Sequence, residues 1–170
     1  PAFCFGCFKV EIKPRSVIEL IKVFIIFDQL KLDENNTRKC MIELREKISG
    51  FYKGLIYCSS LEEAVDIADR LRSLIAKKIE TELPVKIKRG CSEYSIAFPD
   101  YGRINQDGHK LMGYTNGWKL TEEIHDRQHP NIDSGGKPLS LNGLTLNDIF
   151  IMQNWVSYAR GIGDFSCEAV

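Results

Sequence analysis

Two Ser-x-x-Glu signals do most to limit what this chain can fold into: Ser16 with Glu19, and Ser60 with Glu63. In each, the serine hydroxyl can accept the backbone N–H three residues on while the glutamate reaches back, so each signal opens a helix. The flanking sequence sets the rest. Phe8, Val10 and Ile12 alternate with Lys9, Glu11 and Lys13, the pattern of a half-buried strand that Pro14 ends. From Val17 to Leu30 the chain is apolar around most of a helical circumference, which predicts a well-buried first helix. After Ser60, Leu61, Ala64, Val65, Ala68, Leu71, Leu74, Ile75 and Ile79 recur at helical spacing, opposite a charged face, until Pro84 closes the region.

Between the two helices lies KCMIELREKISGFYKGLIYCSS, two β-rich runs around Ser49-Gly50 that predict a hairpin. A turn centred there sets Cys40 opposite Cys58, Ile42 opposite Ile56 and Leu44 opposite Gly54. One face then carries apolar side chains, while Arg45 and Lys53 share the other. VKIKRGCSEYSIAF predicts a fourth strand from Val85, either bulged at Gly90 or turning there into a further strand through Tyr94, Ile96 and Phe98.

The resulting order is βαββαβ over residues 1–100. The simplest packing is an α+β ferredoxin-like sandwich, an antiparallel sheet in order 4-1-3-2 with two helices on one face. Residues 101–170 read as a loop-rich C-terminal extension packed on that domain. Within it KLTEEIHDRQH predicts a short helix. A last helix, capped by Thr145 and stopped by Gly161, would turn Leu146, Ile149, Phe150, Met152 and Val156 to the core.

This topology brings cysteines together. Cys4 and Cys7 precede the first strand, Cys40 starts the second and Cys58 ends the third, so four thiols are expected at one edge of the sheet, with Cys91 nearby as an additional ligand. Thiolates gathered this way suit zinc or an iron–sulfur cluster, or a redox-sensing pair. Cys58 also precedes the second helix directly, which makes it a candidate nucleophile if the chain is an enzyme. Packed thiols are the plain alternative, because cysteine is a small hydrophobe common at strand ends.

Lys plus Arg is 23 and Asp plus Glu is 23, so the formal net charge is zero. That argues against partners held by bulk electrostatics, such as a long duplex or an anionic membrane. FYKGLIYC is nonetheless similar over eight residues to the RNP1 strand of RRM domains. Lys53-Gly54 match its start and Tyr57 one aromatic position, whereas Leu55 replaces the other. The likeness implies a single-strand or RNA surface on the open sheet face, with Lys53, Tyr57 and Lys86 as contacts. His125 and His129, spaced four apart with Glu122 nearby, fit a solvated helix end better than a metal site. The glycines of RGIGD follow a helix instead of preceding one, so they read as a helix stop.

The longest apolar stretch, VIELIKVFIIF, is broken by Glu19 and Lys22 and is too short to span a bilayer. No export signal is visible, and a chain this rich in apolar residues does not need disulfides, so the expectation is cytoplasmic with reduced thiols. The chain begins at Pro1 with strand-like sequence almost at once, which suggests a piece of a longer protein. The expected role is an accessory or regulatory domain whose cysteine-lined edge binds a metal or senses redox state. Its expected partner is another protein or another domain of the same chain.

Overall fold

Both serine signals cap helices. Ser16 Oγ accepts from Glu19 N at 3.2 Å and Ser60 Oγ from Glu63 N at 3.1 Å. The glutamates reach one residue further back than a simple capping box requires: Glu19 accepts from Arg15 N at 2.7 Å, and Glu63 from Ser59 N at 2.6 Å. Helices α1 (Val17–Gln29) and α2 (Leu61–Lys78) begin there. The computed structural model describes residues 7–34, 36–79, 82–97, 99–104, 116–129, 140–141 and 143–169.

Strands β1 (Phe8–Ile12), β2 (Arg38–Ile42), β3 (Tyr52–Cys58) and β4 (Val85–Arg89) form one antiparallel sheet in the order β2-β3-β1-β4. Alternation gives it two unlike faces. Phe8, Val10 and Ile12 of β1 and Ile56 and Cys58 of β3 pack with Val23, Ile26 and Phe27 of α1 and with Ala64, Ile67, Ala68 and Leu71 of α2 in the main core. The opposite face presents Lys9, Glu11, Lys53, Leu55, Tyr57, Lys86 and Lys88. Gly54 lies where α1 crosses β3 most closely. A Cβ there would stand 2.8 Å from Val23 Cγ1 and 3.1 Å from Phe27 Cζ, so no side chain fits without displacement.

Three expectations are corrected. The hairpin register is displaced by four residues: Cys40 faces Gly54, Ile42 faces Tyr52, and Arg38 takes the place opposite Ile56. The turn is a longer loop, closed by Glu43 N to Phe51 O at 2.6 Å and Ile48 N to Arg45 O at 3.1 Å. Its cause is Glu43, whose buried carboxylate gathers Arg45 and Lys53 and so fixes where β2 ends. Because the displacement is even, every side chain keeps its face, but Leu44 passes out of the sheet into the loop and is 66% exposed. The second correction is at Gly90. Its φ of 60° turns the chain out of the sheet, and a short helix α3 (Ser92–Ala97) replaces the expected further strand.

The third correction is at the C-terminal end. Helix α4 (Asn116–Gln128) and a two-residue ladder, β5 (Ser140–Leu141) with β6 (Leu144–Thr145), precede helix α5 (Leu146–Gly161). Thr145 caps α5 with Asp148 as a reciprocal box, and the helix stops at Gly161 as expected. Yet Leu146, Ile149 and Phe150 are exposed, not in the core. Ala159, Trp155 and Val156 meet α1 instead, in a second apolar cluster with Val17, Leu20 and Tyr52. Trp155 packs edge-on against Phe24 at 5.8 Å. Of the residues singled out in the sequence, Cys4 and Phe98 fall outside the described residues. No helix among the described residues is long and apolar enough to cross a membrane.

Candidate functional site

The sheet face turned away from α1 and α2 is unusual in its charge. Lys9 and Glu11 alternate on β1, Lys53 lies beside them on β3 and Lys88 on β4, and Lys9, Glu11 and Lys53 are all buried. Buried charge is costly unless paired. Pairs are present: Lys88 Nζ lies 3.7 Å and Lys13 Nζ 3.8 Å from the Glu11 carboxylate, and Lys53 Nζ lies 3.3 Å from Glu43. The serines of the surrounding turns add acceptors, with Lys13 Nζ to Ser49 Oγ at 2.9 Å and Lys88 Nζ to Ser92 Oγ at 2.7 Å.

These groups wall a pocket of about 170 Å³ between the sheet, the β2–β3 loop and α3. Four lysines line it, Lys13, Lys47, Lys53 and Lys88, together with Ser49, Ser92, Ser95, Ile48 and Ile96; Glu11 is the one carboxylate among the described lining residues. The crowding of like charge is felt at Lys88. Burial lowers its proton affinity most; Glu11 opposes this, and Lys53, Lys9 and Lys13 add to the lowering. A site with this excess of cations and hydroxyls has the chemistry to accept a small anion. At about 30 Å³ per water, the pocket has room for roughly five waters or one compact oxyanion.

The cysteines fare differently from one another. Cys7 continues β1 and is paired by Gly90 N to Cys7 O at 2.8 Å, which sets Cys91 beside it. Cys58 ends β3 opposite Phe8 at the same end of the sheet. Cys40 does not join them: opposite Gly54, it lies four residues from Cys58 along the strand, about 13 Å. Burial pushes the Cys40 thiol up to about 12. Cys58 is 1% exposed, and burial, then the Glu63 carboxylate, push its thiol up to about 12 as well. The helix terminus that favours a thiolate is thus outweighed by desolvation and by the cap's own glutamate, the reverse of what a nucleophile needs. Cys167 is buried in the C-terminal cluster. No three His, Cys, Asp or Glu side chains come together as a metal site among the described residues.

The remaining predicted residues separate as well. Lys53 is 2% exposed and engaged with Glu43, so it is not a surface contact. Tyr57 is half-buried with Lys9 Nζ 4.8 Å above its ring, while Lys86 is exposed. The rings of His125 and His129 lie 4.6 Å apart on an exposed stretch at the end of α4. Sequence reading overlooked Lys13, Lys47 and Lys88 with their serines. The available signal was a charged residue at every second position, Lys9, Glu11 and Lys13 along and just past β1 and Lys86 and Lys88 on β4, on the face that the hydrophobic pattern leaves over.

Fold and pocket together define an α+β chain with an open four-stranded antiparallel sheet and a basic, hydroxyl-lined pocket on its open face. In comparisons with known proteins, no family model, curated protein or solved structure matches the chain.

Proposed function

We propose that this chain is a binding module for a small anion, a phosphate or phosphate-bearing metabolite, held in the basic pocket of the open sheet face. One observation carries the reading: four lysines and three serines line a single pocket against one described carboxylate. An incoming dianion would relieve the mutual repulsion of Lys13, Lys53 and Lys88 and accept from the Ser49, Ser92 and Ser95 hydroxyls. The module is read as ferredoxin-like, supported by its βαββαβ element order and the two helices packed on one face of the sheet. An accessory or regulatory role suits a site that holds an anion without a placed nucleophile or acid–base pair. The described cysteines are free thiols, which suits a cytoplasmic setting.

The test is a titration with inorganic phosphate, pyrophosphate and chloride, followed by calorimetry and thermal unfolding. Phosphate at a hundredfold excess over its Kd should stabilise the fold by about 2.7 kcal/mol, chloride at matched ionic strength should not, and Lys88→Met should weaken binding at least tenfold. Equal stabilisation by chloride and phosphate would reduce the pocket to a screened surface and end this reading.

A second reading takes part of the expected cysteine edge as a metal centre, without Cys40 and Cys58, with zinc or an iron–sulfur cluster held in part by Cys7 and Cys91. What favours it is the backbone pairing that brings Cys7 alongside Cys91. Elemental analysis of anaerobically purified protein decides it, since stoichiometric zinc or iron supports a centre and their absence removes it.

A further inference from the structure

We propose that Cys7 and Cys91 form a reversible peroxide-driven disulfide, with Lys9 positioning the reaction at Cys91. The pairing of Phe8 with Arg89 continues to Cys7 and Gly90, where Gly90 N donates to Cys7 O at 2.8 Å. Cys91 is the next residue. Its Cα is one step of about 3.8 Å from that of Gly90, the residue bonded to Cys7, so the two cysteines are close neighbours, and a disulfide would need their Cα atoms roughly 4.4–6.8 Å apart. In a continuing strand, alternation would send Cys91 to the helix face. Gly90, at φ 60°, breaks the alternation. Cys91 Sγ comes instead to the open side, 3.8 Å from Lys9 Nζ, and β1 alternation puts Cys7 on that side with Lys9. Burial does most to raise the pKa of the Cys7 thiol, Lys9 opposes this, and Cys91 adds to the raising.

Lys9 supplies what such a step requires. Its ammonium, beside Cys91 Sγ and over the Tyr57 ring at 4.8 Å, can hold the charge that develops as sulfur attacks peroxide and hydroxide departs. Cys91 is half-buried and accessible to a small oxidant, whereas Cys7 is buried, so Cys91 meets the peroxide first and the attack by Cys7 is the slower step. In the first step, Cys91 sulfur bonds to one oxygen of hydrogen peroxide and the O–O bond breaks. The other oxygen leaves as water with the thiol proton. Cys7 sulfur then attacks the sulfenic sulfur, the S–O bond breaks, and that oxygen leaves as a second water with the Cys7 proton. The two thiols lose two protons and two electrons, and the peroxide is reduced to two waters. Neither sulfur lines the basic pocket, so disulfide formation and anion binding can fail independently.

The experiment treats the whole chain with one equivalent of hydrogen peroxide. Remaining thiols are alkylated in denaturant, and linked peptides are mapped by mass spectrometry. A Cys7–Cys91 linkage is expected, reversed by dithiothreitol, retained in Cys4→Ser and lost in Cys91→Ser. Lys9→Met should slow its formation about tenfold. Three results overturn the proposal: a Cys4–Cys7 linkage in its place, sulfinic acid at Cys91 without any linkage, or an unchanged rate in Lys9→Met.

Discussion

Glu43 carries a carboxylate with 2% of its side chain exposed, 2.7 Å from Arg45 and 3.3 Å from Lys53. The Arg45 hydrogen bond does most to hold its pKa low, burial opposes it, and Lys53 adds further lowering, leaving the group at about 2. The folded value is depressed, so the stabilisation is full above the ordinary value of 4.5 and is lost as pH falls toward about 2. A shift of that size corresponds to roughly 3 kcal/mol. Glu43→Gln should therefore cost about 3 kcal/mol in urea unfolding at pH 7, since it leaves Lys53 buried beside a neutral amide. The gap between variant and parent should narrow steadily from pH 4.5 to pH 2, and a gap independent of pH would contradict the electrostatic account. Glu43→Leu with Lys53→Met removes both charges and should recover most of the loss. The same carboxylate explains why the hairpin register escaped sequence reading. Nothing in KCMIELREKISGF distinguishes a glutamate that will be buried from one that will be solvated, yet that distinction sets the turn.

At the scale of elements, the crossing of α1 over β3 turns on Gly54. The missing side chain lets Val23 and Phe27 approach the strand, so Gly54→Ala should destabilise by about 1–3 kcal/mol through overpacking. Val23→Ala alone creates a cavity, but combined with Gly54→Ala it should cost less than the sum of the two changes. A double-mutant cycle by denaturant unfolding measures that coupling, and strict additivity would mean the two sites do not meet. Elements of this kind were largely legible. Ser16 and Ser60 announced both helices, and the alternation from Phe8 to Lys13 ran one residue past the observed strand, Phe8–Ile12. The failures share a cause: local pattern was outvoted by something distant or by one backbone angle. Ile96 and Tyr94 look strand-like, but Gly90 turns the chain before the pattern can be used. Ile149 and Phe150 look like core residues, yet the face of α5 that meets α1 is chosen by Trp155 and Ala159. The basic pocket is harder still, because Lys13, Lys53 and Lys88 come from three strands or strand ends and converge only through the register.

For the whole molecule, the decisive contact is Asp164, which follows α5 and ties it back to the sheet and to α1. Its Oδ2 accepts from Val17 N at 2.8 Å, the first residue of α1, and from the Tyr52 hydroxyl at 2.6 Å, while Oδ1 accepts from Ser166 N at 3.0 Å. Burial would raise the pKa of this carboxyl, but the hydrogen bonds from Tyr52, Ser166 and Val17 together hold it below the ordinary aspartate value of 3.8. The sign follows as for Glu43: a depressed folded pKa stabilises at neutral pH, and the contribution fades as pH falls below that value. What is released, however, differs. Apart from Asp164, α5 is attached mainly through Trp155, Val156 and Ala159 against α1, with much of its apolar surface exposed. It is therefore expected to open locally before the sheet does. Trp155 can report this, provided Trp118→Phe removes the other tryptophan. In that background Asp164→Asn should red-shift the emission at pH 7. It should also lower hydrogen-exchange protection across Leu146–Gly161 by about ten- to a hundredfold, the worth of one or two charge-assisted hydrogen bonds. Amides of Ile67 and Leu71 in α2 should keep their protection. Acidification below pH 4 should reproduce the red shift in the parent and add little in Asp164→Asn. Equal loss of protection in α2 and α5 would mean that the terminal helix and the sheet unfold as one unit, with Asp164 supporting the whole core and not acting as a tether.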